Sequence, residues 1–202
     1  MSEGRERKVR SDKKRAVAPF LDTDTYEMVS RISYICDLPM KSVGELLCRD
    51  GFQSRKMLEE IRVYFRRDLV YEDNHYCFGD STKDPFRIED IGSQRLFMKF
   101  YEFEHQRFAA LAYALDCSVA MATSLLIRTA IKRKDIMYPI LGDQIRKDLD
   151  IKRTKQLREL CRFLDARSPD DFITIPVMLA HAIDKCVQEG KKVKRTLQEW
   201  IQ

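Results

Sequence analysis

The feature that most constrains this 202-residue chain is an internal repeat, in which residues 79 positions apart superimpose without a gap. Apolar residues keep their phase over a short alternating segment and over two segments with helical spacing. Agreement of three elements in one register is difficult to obtain by chance, so the sequence predicts two copies of one folding unit. The matched residues are Val17, Pro19 and Leu21 with Leu96, Met98 and Phe100; Val29, Ile32, Cys36 and Asp37 with Phe108, Leu111, Leu115 and Asp116; and Leu46, Leu47 and Arg49 with Leu125, Leu126 and Arg128.

Each copy is predicted to form one strand followed by two short helices. In the first copy, Asp22 or Thr23 can cap the first helix, because either side-chain oxygen can accept a hydrogen bond from an amide of the first turn. Pro39 is predicted to break that helix. Ser42 is predicted to open the second helix, and Gly51 to end it in a left-handed conformation.

The remaining segments predict how the copies are joined and which elements come after the second copy. A helix from Arg55 to Leu69 and a turn-rich loop over 72–94 are expected to connect the copies. The chain then divides into an arm over 1–14, a tandem region over 15–138 with units 15–52 and 94–133, and a C-terminal helical region over 139–202. After Tyr138-Pro139, helices are predicted over about 143–149, 152–166, 175–188 and 193–201. Since only 15–21 and 94–101 combine strand length with alternation, the chain is expected to be mostly α-helical.

The N-terminal arm holds most of the net charge. Residues 1–15 carry seven basic and three acidic side chains, a net charge of +4 in a chain whose total is +5. Because residues 1–14 have almost no apolar side chain, they cannot bury a face and are predicted to be disordered when free. They form either a solvated leader or an arm that binds phosphate groups. The residues assigned to phosphate contact are Arg7, Lys8, Arg10, Lys13 and Lys14.

A strand of about seven residues followed by two short helices resembles the ribbon-helix-helix (MetJ/Arc-like) family of DNA-binding proteins. The stretches that carry the resemblance are 15–21, the helix through Asp37 and the helix from Ser42 to Arg49, and in the second copy 95–101, Glu104–Asp116 and Ala122–Arg128. In this family two units pair their strands antiparallel, and the two-stranded ribbon enters the major groove. The resemblance implies a mostly α fold with tandem ribbon-helix-helix units that form an internal pseudo-dimer, followed by the C-terminal helical region.

The resemblance also implies which side chains contact DNA. Outward strand side chains read base edges, and the start of the second helix meets a phosphate through its free amides. Arg95 and Lys99 suit the O6 and N7 atoms of guanine, and Phe97 suits a thymine methyl group. The residues assigned to DNA contact are Arg15, Ala16, Ala18, Phe20, Lys41, Ser42, Arg95, Phe97 and Lys99.

The two copies depart from the family pattern in different places. Strand one has no polar reader, and Pro19 removes a hydrogen-bond donor from its ladder. Copy two has Met121 where copy one has Ser42. Other interpretations stay open for four residues: a solvated strand face for Arg95 and Lys99, and core packing for Phe20 and Phe97.

These features favour a sequence-specific regulator that binds double-stranded DNA, such as a repressor or a plasmid- or phage-type accessory factor. The alternative is a protein-binding module of the same fold that docks on a protein partner. The apolar outward residues Ala16, Ala18 and Phe20 favour that alternative. Residues 139–202 are left open as a homodimer interface or as a surface for a protein partner.

No enzymatic function is expected. The chain lacks a GxGxxG or GxxxxGK[ST] loop, and His105 and His181 stand singly on predicted helices. The six cysteines are scattered without a CxxC pair, and His75 with Cys77 lacks a second pair at ligand spacing. No metal, cofactor or disulfide is therefore expected. The N-terminus is charged and no apolar run has the length of a membrane span, so we expect a cytoplasmic protein without membrane contact.

Overall fold

The computed structural model describes residues 14–71, 75–88 and 94–145, together with 152–153, 155–157, 159–160 and 162. As predicted, these residues are mostly helical, with a few short antiparallel strands. In chain order the elements are β1 (Arg15–Val17), β2 (Phe20–Leu21), α1 (Thr23–Cys36), α2 (Met40–Gln53), α3 (Arg55–Ile61), a 3-10 turn (Arg62–Tyr64), β3 (Leu69–Tyr71), β4 (His75–Cys77), β5 (Gln94–Arg95), β6 (Met98–Phe100), α4 (Glu102–Leu115), α5 (Val119–Ala130) and α6 (Lys134–Ile145).

The strands of the two copies pair with each other within the chain, which confirms the predicted pairing. β1 is antiparallel to β6, and β2 is antiparallel to β5. The paired residues are Arg15 with Phe100, Ala16 with Lys99, Val17 with Met98, Phe20 with Arg95, and Leu21 with Gln94. All five pairs share one register, which places Ala18 opposite Phe97, its own equivalent in the repeat. A pseudo-twofold axis therefore passes between Ala18 and Phe97. We name residues 14–21 and 94–101 the ribbon.

Helix starts repeat at the same 79-residue offset as the sequence. α1 and α4 each have 14 residues and begin at equivalent positions. α2, with 14 residues, and α5, with 12, also begin at equivalent positions. Both first helices end at an aspartate in the left-handed region, Asp37 and Asp116, each with a φ of 54°. Aspartate tolerates this conformation better than most residues because its short polar side chain can bond locally. The two copies thus use the same turn between their helices.

The repeat extends one helix further than the sequence patterns indicated. α3 begins at Arg55 and α6 at Lys134, again 79 residues apart. The buried residues of the two helices match: Met57, Leu58 and Ile61 with Ile136, Met137 and Ile140. The prediction that a helix starts only after Pro139 is wrong, because Pro139 lies inside α6. α6 packs on α1 and α2, so it belongs to the same core as the tandem region.

The connection between the copies also differs from its prediction. The helix predicted over 55–69 ends at Ile61 and continues as a single 3-10 turn. The predicted loop over 72–94 contains a strand, since β3 and β4 form an antiparallel hairpin with Val70 opposite Tyr76. Leu69 and Tyr71 are buried while Val70 is exposed, and β-branched and aromatic residues suit such a half-buried strand. Three-residue strands are too short for alternation to be recognised in the sequence.

The helix caps agree in part with those predicted from the sequence. Asp22 caps α1, as predicted, by accepting the amide of Thr25 at 2.8 Å. α2 begins directly after Pro39, whose fixed φ suits the entry to a helix. Ser42 therefore lies within the first turn of α2 and is not its cap, and Gly51 lies inside the helix rather than at its end.

α2 and α5 cross at the centre of the core, and each packs on the strand of the other copy. Leu47 and Leu126 occupy equivalent positions in these helices, and both are fully buried. Gly44 permits the close approach of α2 to the ribbon, because a Cβ atom there would lie 2.6 Å from side-chain atoms of Leu96 and Met98. The two copies consequently share one core.

Arginines from the segment that comes after each copy bind the end of the other copy's first helix. In both places one arginine pairs with the left-handed aspartate and lies over a tyrosine three residues earlier. The pairs are Arg67 with Asp116 at 2.8 Å and Tyr113 at 4.5 Å, and Arg153 with Asp37 at 3.1 Å and Tyr34 at 5.7 Å. The segments that come after the two copies thus each contact the other copy, as the second helices do.

Beyond α6, the described residues between 152 and 162 are helical, in agreement with the helix predicted over 152–166. Leu157 and Leu160 are buried there. The helices predicted over 175–188 and 193–201 lie outside the described residues. Within the described part of the chain, no single helix is long and apolar enough to cross a bilayer, and α4 and α5 pass that test only as a pair bent by 93°.

Candidate nucleic-acid interface

Ribbon side chains alternate between core and solvent, as the sequence predicts. The inward residues Val17, Pro19, Leu21, Leu96, Met98 and Phe100 are all buried. The outward residues are Lys14, Ala16, Ala18, Phe20, Arg95, Phe97, Lys99 and Tyr101, of which Ala18 and Phe20 are half-buried and the others exposed. We name this second set the outer face. It brings together all of the strand residues assigned to DNA contact except Arg15.

Arg15 lies at an inward register position, opposite the buried Phe100. Its guanidinium reaches the edge of the ribbon and pairs with Glu102, the first residue of α4, at 2.5 Å. The positive charge of Arg15 at the ribbon surface is consequently shared with a carboxylate.

Arg95 and Phe20 form a cross-strand pair near one end of the outer face. The central guanidinium carbon lies 4.2 Å from the centre of the Phe20 ring. Such a cation–π contact contributes about 0.5–1 kcal/mol at an exposed site and restricts the long arginine side chain. A guanidinium stacked on a ring keeps the donors at its edges available, and those donors can bond guanine in a bidentate way.

Lys14 and Tyr101 form a second cation–aromatic pair, one position beyond the opposite end of the ladder. The ammonium of Lys14 lies 4.3 Å from the centre of the Tyr101 ring. Tyr101 in turn stacks on Phe103, with their ring centres 6.1 Å apart. Both ends of the outer face therefore carry a cation held over an aromatic ring.

Each second helix holds the strand of the other copy through an equivalent side chain. Glu45 of α2 accepts the backbone amide of Lys99 at 2.9 Å. Ser124 of α5, its equivalent, donates to the backbone carbonyl of Phe20 at 2.7 Å. No carboxylate of the described residues pairs with the ammonium of Lys99. The outer face is thus positioned by both helices, while the Lys99 charge stays directed to solvent.

Two reciprocal ion pairs join the second helix of each copy to the start of the other copy's first helix. Arg49 bonds Glu104 at 2.8 Å, and its equivalent Arg128 bonds Asp22 at 3.0 Å. Both carboxylates also accept backbone amides of the helix start that they cap. The sequence contained one signal for these pairs, because Arg49 and Arg128 occupy equivalent positions of the repeat beside matched leucines. It did not identify the acidic partners of the two arginines.

The ionisation of Asp22 is tied to this arrangement. Partial burial alone acts to raise the pKa of Asp22, but hydrogen bonds from Thr25 and the charge of Arg128 together hold that pKa below its ordinary value. The carboxylate therefore stays charged at neutral pH, as both its cap and its ion pair require.

The remaining assigned residues lie at the helix starts and in the arm. Lys41 is exposed in the first turn of α2, and Ser42 is half-buried there. In copy two the capping serine is Ser118, whose hydroxyl accepts the amide of Met121 at 3.2 Å, so the serine absent from position 121 is present three residues earlier. Of the arm, only Lys14 is described, and Arg7, Lys8, Arg10 and Lys13 lie outside the described residues.

The two outward phenylalanines have different environments. Phe97 is 68% exposed at the pseudo-twofold axis, so the core-packing interpretation of this residue is wrong. Phe20 is half-buried under Arg95. A large exposed aromatic at the centre of the outer face is typical of a contact surface rather than of a solvated strand.

The His, Cys, Asp and Glu side chains of the described residues are dispersed. No group of three or more His, Cys, Asp and Glu side chains among them lies close enough to hold an ion. Cys48, Cys77 and Cys117 are thiols that form no disulfide. Burial, with a contribution from the charge of Asp116, raises the pKa of Cys117 to about 11, so this thiol is not an activated nucleophile.

Comparisons with known proteins supply no relative for this chain. No protein-family model, no curated protein and no solved structure matches it. Function must therefore be inferred from the geometry of the ribbon and its surroundings.

Proposed function

We propose that this chain is a regulator that binds double-stranded DNA, with the ribbon-helix-helix arrangement completed inside one polypeptide. The observation that carries the proposal is the outer face, an exposed ribbon surface with Arg95, Phe97 and Lys99 alternating along one strand. A two-stranded ribbon fits the major groove, which is about 12 Å wide. The pseudo-twofold axis supports the same geometry, because pairs of units present their ribbons in this symmetric way.

The outer-face residues take different roles in this proposal. Arg95 reads guanine through its in-plane donors, and Phe97 contacts a thymine methyl group near the axis. Lys99 contributes an ammonium that bonds a base edge or a nearby phosphate. Lys41 at the start of α2 and the basic arm contact phosphates, which adds affinity without sequence preference.

The electrostatic balance of the chain fits such a partner. Nearly all of the net charge of +5 resides in the first 15 residues, which comprise the arm and the start of the ribbon. A cationic segment joined to a base-reading surface raises the association rate with a polyanion and makes the affinity depend on salt.

A gel shift against mixed genomic fragments, at low and at moderate salt, tests the proposal. The wild-type chain should shift fragments at low salt and retain a subset at moderate salt. The triple variant Arg95→Ala, Phe97→Ala, Lys99→Ala should lose that subset, whereas Arg31→Ala, which removes an exposed arginine from α1, should bind as the wild type does. Failure of the wild-type chain to shift any fragment at low salt would contradict the proposal.

A protein-docking module is the second candidate, and a specific observation favours it. Phe97 is exposed opposite Ala18 and diagonal to Ala16, which leaves the middle of the outer face apolar. An aromatic anchor in an apolar surround resembles the centre of a protein interface. In this alternative the outer-face variants should leave any DNA binding unchanged.

A further inference from the structure

Two stacked aromatic rings between two cations lead away from one end of the ribbon along α4. The Lys14 ammonium lies 4.3 Å from the centre of the Tyr101 ring, and the planes of the Tyr101 and Phe103 rings are within 9° of parallel. One turn further along α4, the central guanidinium carbon of Arg107 lies 5.9 Å from the centre of the Phe103 ring. We name these four residues the stacked row. Tyr101 is 43% exposed and Phe103 is 58% exposed, so both rings are accessible to a ligand.

A cavity adjoins the α4 end of the stacked row. It lies between the end of α2, β3 and the first half of α4, and its volume is about 350 Å³. Small-molecule sites have volumes of about 300–1,000 Å³, so this cavity can hold a group of that kind. Its lining combines rings, amides and a guanidinium, from Phe52, Tyr71, Phe103, Gln53, Gln106 and Arg107 among others. A ring can stack on a nucleobase, and an amide has donors and an acceptor that match the edge of a base.

The repeat shows that the fold does not require an aromatic residue here. In the first copy the residues equivalent to Phe103 and Gln106 are Asp24 and Glu27, and both are exposed. α1 and α4 nevertheless have the same length and bury residues at equivalent positions. An exposed ring that the core does not need is typical of a contact surface, so its presence in α4 indicates a ligand.

The charges of the stacked row suit a polyanion. The acidic residues on either side of Phe103 in the sequence, Glu102 and Glu104, are each paired with an arginine. Among the described residues, no carboxylate pairs with Lys14 or with Arg107. The Arg107 contact is close to the outer limit of a cation–π pair, about 6 Å, so its donors stay available to a phosphate. Cations beside exposed rings are the combination with which proteins bind single strands.

We propose that the stacked row and its cavity bind an unpaired nucleotide of a nucleic-acid strand. The base stacks against the Phe103 ring in the cavity, where Gln53 and Gln106 bond its edge. Arg107 and Lys14 bind phosphates of the same strand. The row extends from the cavity to the end of the ribbon, and this length favours a strand over a free nucleotide.

The inference goes beyond the proposed reading of a duplex and does not depend on it. The site contains none of Arg95, Phe97 and Lys99, although Lys14 and Tyr101 belong both to the stacked row and to the outer face. Binding of a single strand can therefore be measured without a duplex and in a chain that lacks the base-reading side chains.

Two single strands of about ten nucleotides test the proposal, one of deoxythymidines and one of abasic residues. The abasic strand has the same phosphates but no base that can stack. In anisotropy titrations the wild-type chain should bind the deoxythymidine strand about tenfold more tightly than the abasic strand, because stacking on the ring adds to the phosphate contacts.

Variants of the full chain assign this preference to the site. Phe103→Ala should abolish the preference and leave affinity for the abasic strand unchanged, which also shows that the variant folds. Arg107→Ala should weaken binding of both strands alike. Phe78→Ala removes a ring that is 64% exposed and lies outside the cavity lining, so it should behave as the wild type does. The triple alanine variant at Arg95, Phe97 and Lys99 should keep the preference.

Several results would overturn the inference. These are equal affinity of the wild type for the two strands, binding of neither strand, and a Phe103→Ala variant that keeps the preference. Displacement of the deoxythymidine strand by an equal concentration of thymidine 5′-monophosphate would show that the site takes a free nucleotide instead. The gel shift with genomic fragments is independent of these titrations, so the inference and the proposed function can fail separately.

Discussion

Arg95 is the residue on which base reading depends most directly. Its position over Phe20 restricts the guanidinium before any ligand arrives. Arg95→Ala should cost about 1–3 kcal/mol at one base pair, which is roughly a 5- to 150-fold loss of affinity for the selected duplex. Arg95→Lys keeps the charge but removes the planar donors, so it should lose the same sequence preference while retaining the salt dependence of the wild type.

Fluorescence titrations with the selected duplex and its single-base variants measure this effect. Arg31→Ala is the matched control, because it removes one exposed positive charge from α1 without touching the outer face. Equal losses for Arg31→Ala and Arg95→Ala on every duplex would show that Arg95 acts only as a charge.

The ionisation of Asp22 makes the stability of the folded chain depend on pH in the acid range. Its pKa is lower in the folded chain than the ordinary value of 3.8, so the folded state binds fewer protons than the unfolded state near that pH. The stabilisation is complete above the unfolded pKa and is lost as pH falls through the folded pKa. Asp22→Asn keeps a capping oxygen but removes the charge, so it should lower the free energy of unfolding at neutral pH. The further loss of stability as pH falls below about 4 should be smaller in this variant than in the wild type.

Urea unfolding at neutral and at acid pH measures this difference. Asp24→Asn changes an exposed aspartate in the first turn of the same helix and is the control. An Asp22→Asn variant with the acid profile of the wild type would show that the pair with Arg128 contributes nothing to folding.

At the scale of elements, the crossing of α2 and α5 should dominate stability. Leu47→Ala and Leu126→Ala each remove a fully buried side chain and should cost about 2–5 kcal/mol. Leu46→Ala, at a half-buried position of the same helix as Leu47, is the control and should cost less. Chemical denaturation gives these values, and a Leu126→Ala variant as stable as Leu46→Ala would mean that the two copies do not share one core.

The two reciprocal ion pairs should differ in strength because their carboxylates differ in burial. The side chain of Glu104 is 6% exposed, whereas that of Asp22 is 19% exposed. Arg49→Met should therefore destabilise the chain by about 3–5 kcal/mol, since it leaves a buried charge unpaired, and Arg128→Met should cost less. The double variant Arg49→Met, Glu104→Gln should recover part of the lost free energy of unfolding, as measured by chemical denaturation. No recovery would show that the arginine acts through packing alone.

Elements that depend on local patterns could be predicted from the sequence. The ribbon alternation and the Asp22 cap are set by residues close together in the chain, and the repeat supplied a second example of the alternation. The α2 start could not be found, because Pro39 enters the helix without a side-chain cap. The β3–β4 hairpin has strands of three residues, and the partners of Arg49 and Arg128 lie on distant segments.

At the scale of the whole molecule, the two copies share one core and present the outer face together, and the charged arm precedes the ribbon in the sequence. Neutralising Arg7, Lys8 and Arg10 with alanine should weaken binding to every duplex alike and flatten its salt dependence. The slope of the logarithm of the affinity against the logarithm of salt should fall by about 0.9 for each phosphate that the arm no longer neutralises. Titrations over a range of salt concentrations measure it. An unchanged slope would show that the arm is only a solvated leader.

Selection from random duplex DNA, carried out in parallel with the wild-type chain and with the outer-face triple variant Arg95→Ala, Phe97→Ala, Lys99→Ala, tests the central claim most directly. We predict that the wild type enriches a non-palindromic motif that contains a guanine on the Arg95 side of the axis. The triple variant should fold as the wild type does by circular dichroism and enrich no motif. Failure of the wild type to enrich any motif, or enrichment of the same motif by the triple variant, would contradict base reading by the outer face.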